Sequence, residues 1–264
     1  MPRRPHRRCG SLALTLALLF LATALAYATV GFGGGSTYNA LLVLADVDYR
    51  VLPTIALGCN LIVVTGGVIR YARAGHLDWR FAWPFVALSA PMAWLGGRLP
   101  VSRETFMLVL GLALVVSAVA MLLEPRGGAD PSAPPRPRKV AFGVATGGAI
   151  GFLGGLVGIG GGIILAPFLY RLRLAPPRLI AATASLYILV TSAAGLTGQA
   201  AKLGSLAHWQ VLRDFAPLFL AVLVGGQIGS WLGSGRIPAR AITWFTALLV
   251  LYVGLRLLAS WLGA

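Results

Sequence analysis

Gly33-Gly34-Gly35 and Gly160-Gly161-Gly162 lie 127 residues apart, and each closes the same pattern: Val30-Gly31-Phe32 leads into the first, Val157-Gly158-Ile159 into the second. Glycine holds a helix poorly, so each triplet is expected to unwind the segment that carries it. Unwound glycine exposes backbone N–H groups. The helix that starts just after it aims its positive dipole end at the same point. Together they form an anion site that needs no buried charged side chain. Broken hydrophobic segments at matching places in two halves point to the substrate site of a transporter. The competing reading is close helix packing, for which glycine is common in membrane helices.

Polar side chains near the triplets extend the candidate site. Ser36, Thr37 and Asn39 follow the first triplet, Asn60 and Thr65 lie in the next uncharged run, and Thr183, Ser185, Thr191, Ser192, Thr197 and Gln199 lie in the run after the second. Their hydroxyl and amide donors suit sulfonate, sulfite or carboxylate oxygens, although helix–helix hydrogen bonding is the commoner explanation for any one of them. Asn60, Thr183 and Ser185 are singled out because they occupy similar parts of the run after each break. The candidate substrate-binding set is therefore Gly33, Gly34, Gly35, Ser36, Asn60, Gly160, Gly161, Gly162, Thr183 and Ser185.

Catalytic chemistry is not indicated. HExxH and GxSxG motifs are absent, and a buried serine without a partner His or Lys is no nucleophile. GxxxxGK[ST] is also missing, and Ser36 and Ile163 stand where GxGxxG needs its last glycine, so a nucleotide site is not expected. Cys9 and Cys59 make no CxxC pair, and His6, His76 and His208 are isolated, so no metal or cofactor is expected.

The elements that must carry these residues show in the charge pattern. Eight runs lack Asp, Glu, Lys and Arg: 11–45, 51–69, 81–97, 105–123, 140–170, 179–201, 215–235 and 241–255. Most approach the ~20 residues that span a bilayer core, and the mean hydropathy is +0.82. The alternating ten-residue strands of a barrel are absent. The expected fold is an all-α polytopic membrane protein of about eight transmembrane helices, in two four-span repeats with glycine-broken first helices. Runs 11–45 and 140–170 are each too long for one span and too short for two. Their divisions are expected at the triplets, giving helices over 11–30, 36–45, 140–157 and 163–170.

The repeats are expected at 1–123 and 140–264. Between them 124–139, with five prolines in 16 residues, reads as a flexible linker. Ordered pairs support duplication, among them Arg50 with Arg178, Arg73 with Lys202, Trp79 with Trp209 and Pro84 with Pro217. A net charge of +15 raises the question of nucleic acid, but the basic residues are scattered over connectors, so no such partner is expected. If each run crosses once, thirteen basic residues flank the side of the N-terminus and linker and eight the other. That places the linker in the cytoplasm and the chain, multi-pass, in a bacterial inner membrane. Arg3, Arg4, Arg7 and Arg8 before an apolar stretch ending Ala26-Tyr27-Ala28 resemble a signal peptide, yet the uncharged run continues to Ala45, which favours an uncleaved first span. All seven acidic residues lie outside the runs. Cation-coupled carriers usually keep a carboxylate in the membrane, so an anionic substrate is favoured.

GFGGGSTYNALLVL, GLVGIGGGIILAPFL, GHLDWRFAWPFVALSAPMAWLGGRL and AATASLYILVTSAAG resemble segments of the sulfite exporter TauE/SafE family of membrane permeases. The resemblance covers nearly the whole chain except the N-terminal tail and central linker. It implies transport of a small sulfur-containing or organic anion such as sulfite or a sulfonate, often outward. Two alternatives stay open, a non-transporting membrane scaffold or assembly protein and a cation exporter. Departures concern the substrate: Ala40 stands where the family usually has proline after the first triplet, while Pro167 keeps it in the second copy. Thr183-Ala184-Ser185 replaces a contiguous Thr-Ser. Expected partners are a small anionic substrate and the lipid bilayer, with homo-oligomer formation left open.

Overall fold

The computed structural model describes residues 6–30, 32–123, 140–203, 210–211, 213–232 and 239–263. The linker at 124–139 and the partner residue Trp209 lie outside them. Among the described residues every regular element is an α-helix: α1 His6–Val30, α2 Gly35–Leu44, α3 Leu52–Arg73, α4 Trp79–Ala87, α5 Ser89–Arg98, α6 Arg103–Leu122, α7 Val140–Val157, α8 Gly162–Arg171, α9 Pro177–Leu203, α10 Ala216–Leu232 and α11 Ala239–Leu262. α3, α6, α7 and Arg178–Lys202 of α9 are long and apolar enough to cross a membrane, and shorter apolar helices include Leu14–Thr29, Gly162–Arg171, Ala216–Gly229 and Ala247–Leu262. The chain is an all-α polytopic membrane protein.

The helix boundaries follow local chemistry. Both long runs divide at the glycine triplets, so α1 ends at Val30 before α2 starts at Gly35, and α7 ends at Val157 before α8 starts at Gly162. Asp78 caps α4 by accepting from Arg80 N at 2.8 Å, and Ser102 caps α6 by accepting from Thr105 N at 3.2 Å. Run 81–97, expected as one span, is divided into α4 and α5 at Leu88. Pro91 explains this, because it has no N–H to give the Ala87 carbonyl four residues earlier. Ser89 Oγ donates to Val86 O at 2.8 Å within the same bend.

The two halves interleave. α1 packs chiefly on α10 and α7 on α5, so the first helix of each half lies against the other half. α3 pairs with α9 and α6 with α11, while α2 touches α11 and α8 touches α6. Exchanging the halves leaves this contact pattern unchanged. The outward faces are apolar, with Leu18, Leu112, Leu220 and Leu248 exposed, as lipid-facing positions should be.

Small residues let these helices approach. Gly143, Gly147, Gly151 and Gly155 repeat every fourth residue along α7 and meet Pro84, Phe85, Ser89 and Ala93 on α4 and α5. A Cβ on Gly151 would lie 2.7 Å from Ser89 O, with no flexible side chain to yield. Gly151→Val is therefore expected to destabilise the bundle by about 2 kcal/mol or more, read as a lower melting temperature in detergent. An unchanged melting temperature would mean α5 and α7 do not pack as described.

Candidate functional site

The two breaks meet at the centre of the bundle, and the side chain that joins them is Asn60. It is fully buried on α3. A Cβ on Gly35 would lie 2.6 Å from its Nδ2, one on Gly160 2.8 Å from the same atom, and one on Gly33 2.5 Å from its Oδ1. The amide thus sits in a slot that exists because three glycines from both triplets surround it. Its Nδ2 donates to Ile159 O at 3.2 Å.

Breaking a helix leaves carbonyls without intrahelical partners, and buried ones must be satisfied from elsewhere. At the second break buried side chains do this. Asn39 Nδ2 on α2 donates to Val157 O at 2.9 Å, and Asn60 on α3 serves Ile159. From α9, Thr191 Oγ1 donates to Gly160 O at 2.7 Å and Gln199 Nε2 to Gly155 O at 3.1 Å. Tyr187 OH reaches Gly147 O at 2.6 Å further along α7. Two of the break's carbonyls are therefore held by amides from the first half of the chain.

The first break is tied differently. Arg70 Nη2 donates to Ala28 O at 2.8 Å, and Tyr27 OH and Thr37 Oγ1 share a bond of 3.0 Å. Backbone geometry differs as well. Gly34, which precedes α2, has φ −98°, whereas Gly158, Gly160 and Gly161 have φ of 79°, 74° and 71°, the left-handed region.

Not every side-chain atom here is satisfied. Ser36 Oγ, Asn39 Oδ1, Asn60 Oδ1 and Ser192 Oγ are buried with no hydrogen-bond partner among the described residues. A buried polar group left unpaired costs about 1–3 kcal/mol; two of these are hydroxyls that can donate, and two are amide oxygens that only accept. The first amides of α2 start beside Ser36 and Asn60, adding donors and a positive dipole end, whereas at α8 Gly162 N already donates to Gly160 O at 3.0 Å and Ile164 N to Gly161 O at 3.1 Å. Among the described residues no cluster of three or more His, Cys, Asp or Glu could hold a metal ion.

Of the expected site residues, the structure gathers Gly33, Gly35, Gly160 and Asn60 into one knot, with Gly34, Ser36, Gly161 and Gly162 adjoining it in the two breaks. Thr183 and Ser185 are fully buried on α9. Thr183 Oγ1 has no partner among the described residues, and no described hydrogen bond links its hydroxyl to either break. The α9 residues against the second break are instead Tyr187, which borders Gly161, Ile188 and Ser192, which border Gly160, and Thr191, which donates to Gly160 O. Ile188 holds the place that Asn60 and Ser192 the place that Val64 holds against Gly33. Thr191 and Ser192 do not stand out among the polar residues of their run. Counting 128 residues on from Asn60 and one helical turn further would have found them.

A model of the family described as "Sulfite exporter TauE/SafE" matches residues 16–257. The chain belongs to this family. It is 35% identical over 248 residues to "Probable membrane transporter protein y4hK" of Sinorhizobium fredii (strain NBRC 101917 / NGR234), covering 93% of this chain and 98% of that one. It is 24% identical over 254 residues to "Probable membrane transporter protein YunE" of Bacillus subtilis (strain 168), covering 87% and 91% respectively. No solved structure matches the chain. The protein is thus a multi-pass membrane transporter of the TauE/SafE family, a class of permease rather than enzyme. The glycine breaks lie inside the matched region.

Proposed function

We propose that this TauE/SafE transporter carries a small sulfur-containing or organic oxyanion, such as sulfite or a sulfonate, outward across a bacterial inner membrane. In this reading the linker faces the cytoplasm, and the two halves are duplicated four-span repeats that rock about the glycine breaks. The observation that carries it is Asn60, wedged between Gly35 and Gly160 with its Nδ2 on Ile159 O. An amide touching both breaks is placed to release one set of contacts and make another as an anion arrives. Ser36, Ser192 and the first amides of α2 supply donors. The absence of acidic residues from the uncharged runs leaves the anion unopposed.

The purified protein in proteoliposomes is expected to move radiolabelled sulfite, sulfoacetate or a small carboxylate down its gradient. If none of these anions moves or binds, the scaffold reading takes over. Transport of cations alone would overturn the dipole argument.

A further inference from the structure

A cavity of about 760 Å³ opens between α3 and α10, lined by Leu61, Thr65, Ile69 and Arg70 on one side and Leu223 and Gln227 on the other. Along α3 it starts at the residue after Asn60 and ends in the last turn, about 13 Å of helix. It therefore reaches from the depth of the breaks to the end of the span. The equivalent contact in the other half, α5 on α9, is tight. A Cβ on Gly97 would lie 2.5 Å from Gly195 O, whereas one on Gly226 of α10 would come no nearer than 3.7 Å to Val63.

Arg70 at the end of this cavity does work that a neutral residue does elsewhere. Its Nη2 donates to Ala28 O near the end of α1, and Gln199 Nε2 donates to Gly155 O near the end of α7, carbonyls 127 residues apart in the duplicated pattern. An amide suffices for that bond. Gln199 is fully buried while Arg70 is partly exposed, and no acidic residue lines the cavity.

We infer that the cavity between α3 and α10 is a second anion site, where Arg70 captures a small oxyanion on its way to the glycine breaks. The guanidinium offers charge-assisted hydrogen bonds, Gln227 offers a neutral one, and Leu61, Ile69 and Leu223 accept an organic tail. The ligand class rests on the anion reading above, but the site is separate from the breaks.

Arg70→Gln copies the neutral arrangement of Gln199 and should leave the melting temperature unchanged. The KM for sulfoacetate should rise about ten-fold, with kcat little altered, and Arg70→Lys should recover part of the loss. In a background of Cys9→Ser and Cys59→Ala, Gln227→Cys should react with a membrane-impermeant anionic thiol reagent, and sulfoacetate should slow that reaction. The protection should persist when Gly161→Val is added, which separates this site from transport through the breaks. Unchanged KM in Arg70→Gln, or a Gln227→Cys variant that reacts only with lipid-soluble reagents, would overturn the inference and show a lipid-filled groove. Protection in a protein whose wild-type form moves none of the tested anions would keep this site and remove the break reading.

Discussion

Gly161→Val is expected to abolish transport while membrane insertion survives. Gly161 is the residue before α8 and has φ 71°. A left-handed backbone costs an ordinary L-residue about 1–2 kcal/mol, and a β-branched side chain more. A Cβ there would also lie 2.8 Å from Ile150 Cγ2 and 3.0 Å from Tyr187 Cε1. The flanking helices keep their hydrophobicity, so the chain should still reach the membrane. The matching position in the first break behaves differently. Gly34 has φ −98°, open to any residue, and a Cβ would press on Thr23 Cγ2 at 2.8 Å and the Tyr38 ring at 2.9 Å. Gly34→Ala should therefore retain measurable transport, and Gly161→Ala should be severely impaired. Rates in proteoliposomes, normalised to reconstituted protein, test both. Wild-type rates in Gly161→Val would mean that the triplet only packs helices.

Asn60 should be the most sensitive side chain. Asn60→Leu removes the donor to Ile159 O and leaves a buried carbonyl unpaired, a loss of about 1–3 kcal/mol. It also drives a branched chain into the slot between Gly33, Gly35 and Gly160. Transport should fall at least about ten-fold, with a lower melting temperature. Asn60→Asp decides the charge of the cargo. It is nearly isosteric, yet it sets an oxygen against Ile159 O and brings negative charge to the breaks. An anion carrier should lose transport more completely with Asp than with Leu. Activity kept or gained in Asn60→Asp would favour a cation as the cargo.

Much of this was legible along the chain. The eight uncharged runs predict where helices lie, and α3, α6, α7 and α9 follow them closely, because in a bilayer both backbone hydrogen bonding and side-chain transfer are settled locally. The glycine triplets predict where the long runs break, since propensity over a few residues is enough to end a helix. The division of run 81–97 was not read from the sequence, because it depends on the single missing N–H of Pro91 inside an otherwise apolar run, and hydropathy does not register it.

What the linear pattern left undecided is which residues face each other. Thr183 and Ser185 share polarity with Ser192, yet Ser192 borders Gly160, because the helical phase of α9 against the second break assigns the face. The duplicated triplets look alike in sequence and adopt different backbones. Asn39 and Asn60 reach across to hold Val157 and Ile159, and that packing supports the positive φ of Gly158, Gly160 and Gly161. The pairing of Arg70 with Ala28 depends on how α1 packs on α3, and the cavity beside it on how closely α10 approaches α3. Hydropathy and propensity are properties of neighbours along the chain and determine the spans and their breaks. The site joins residues about a hundred positions apart, and only close packing of the interleaved halves brings them together.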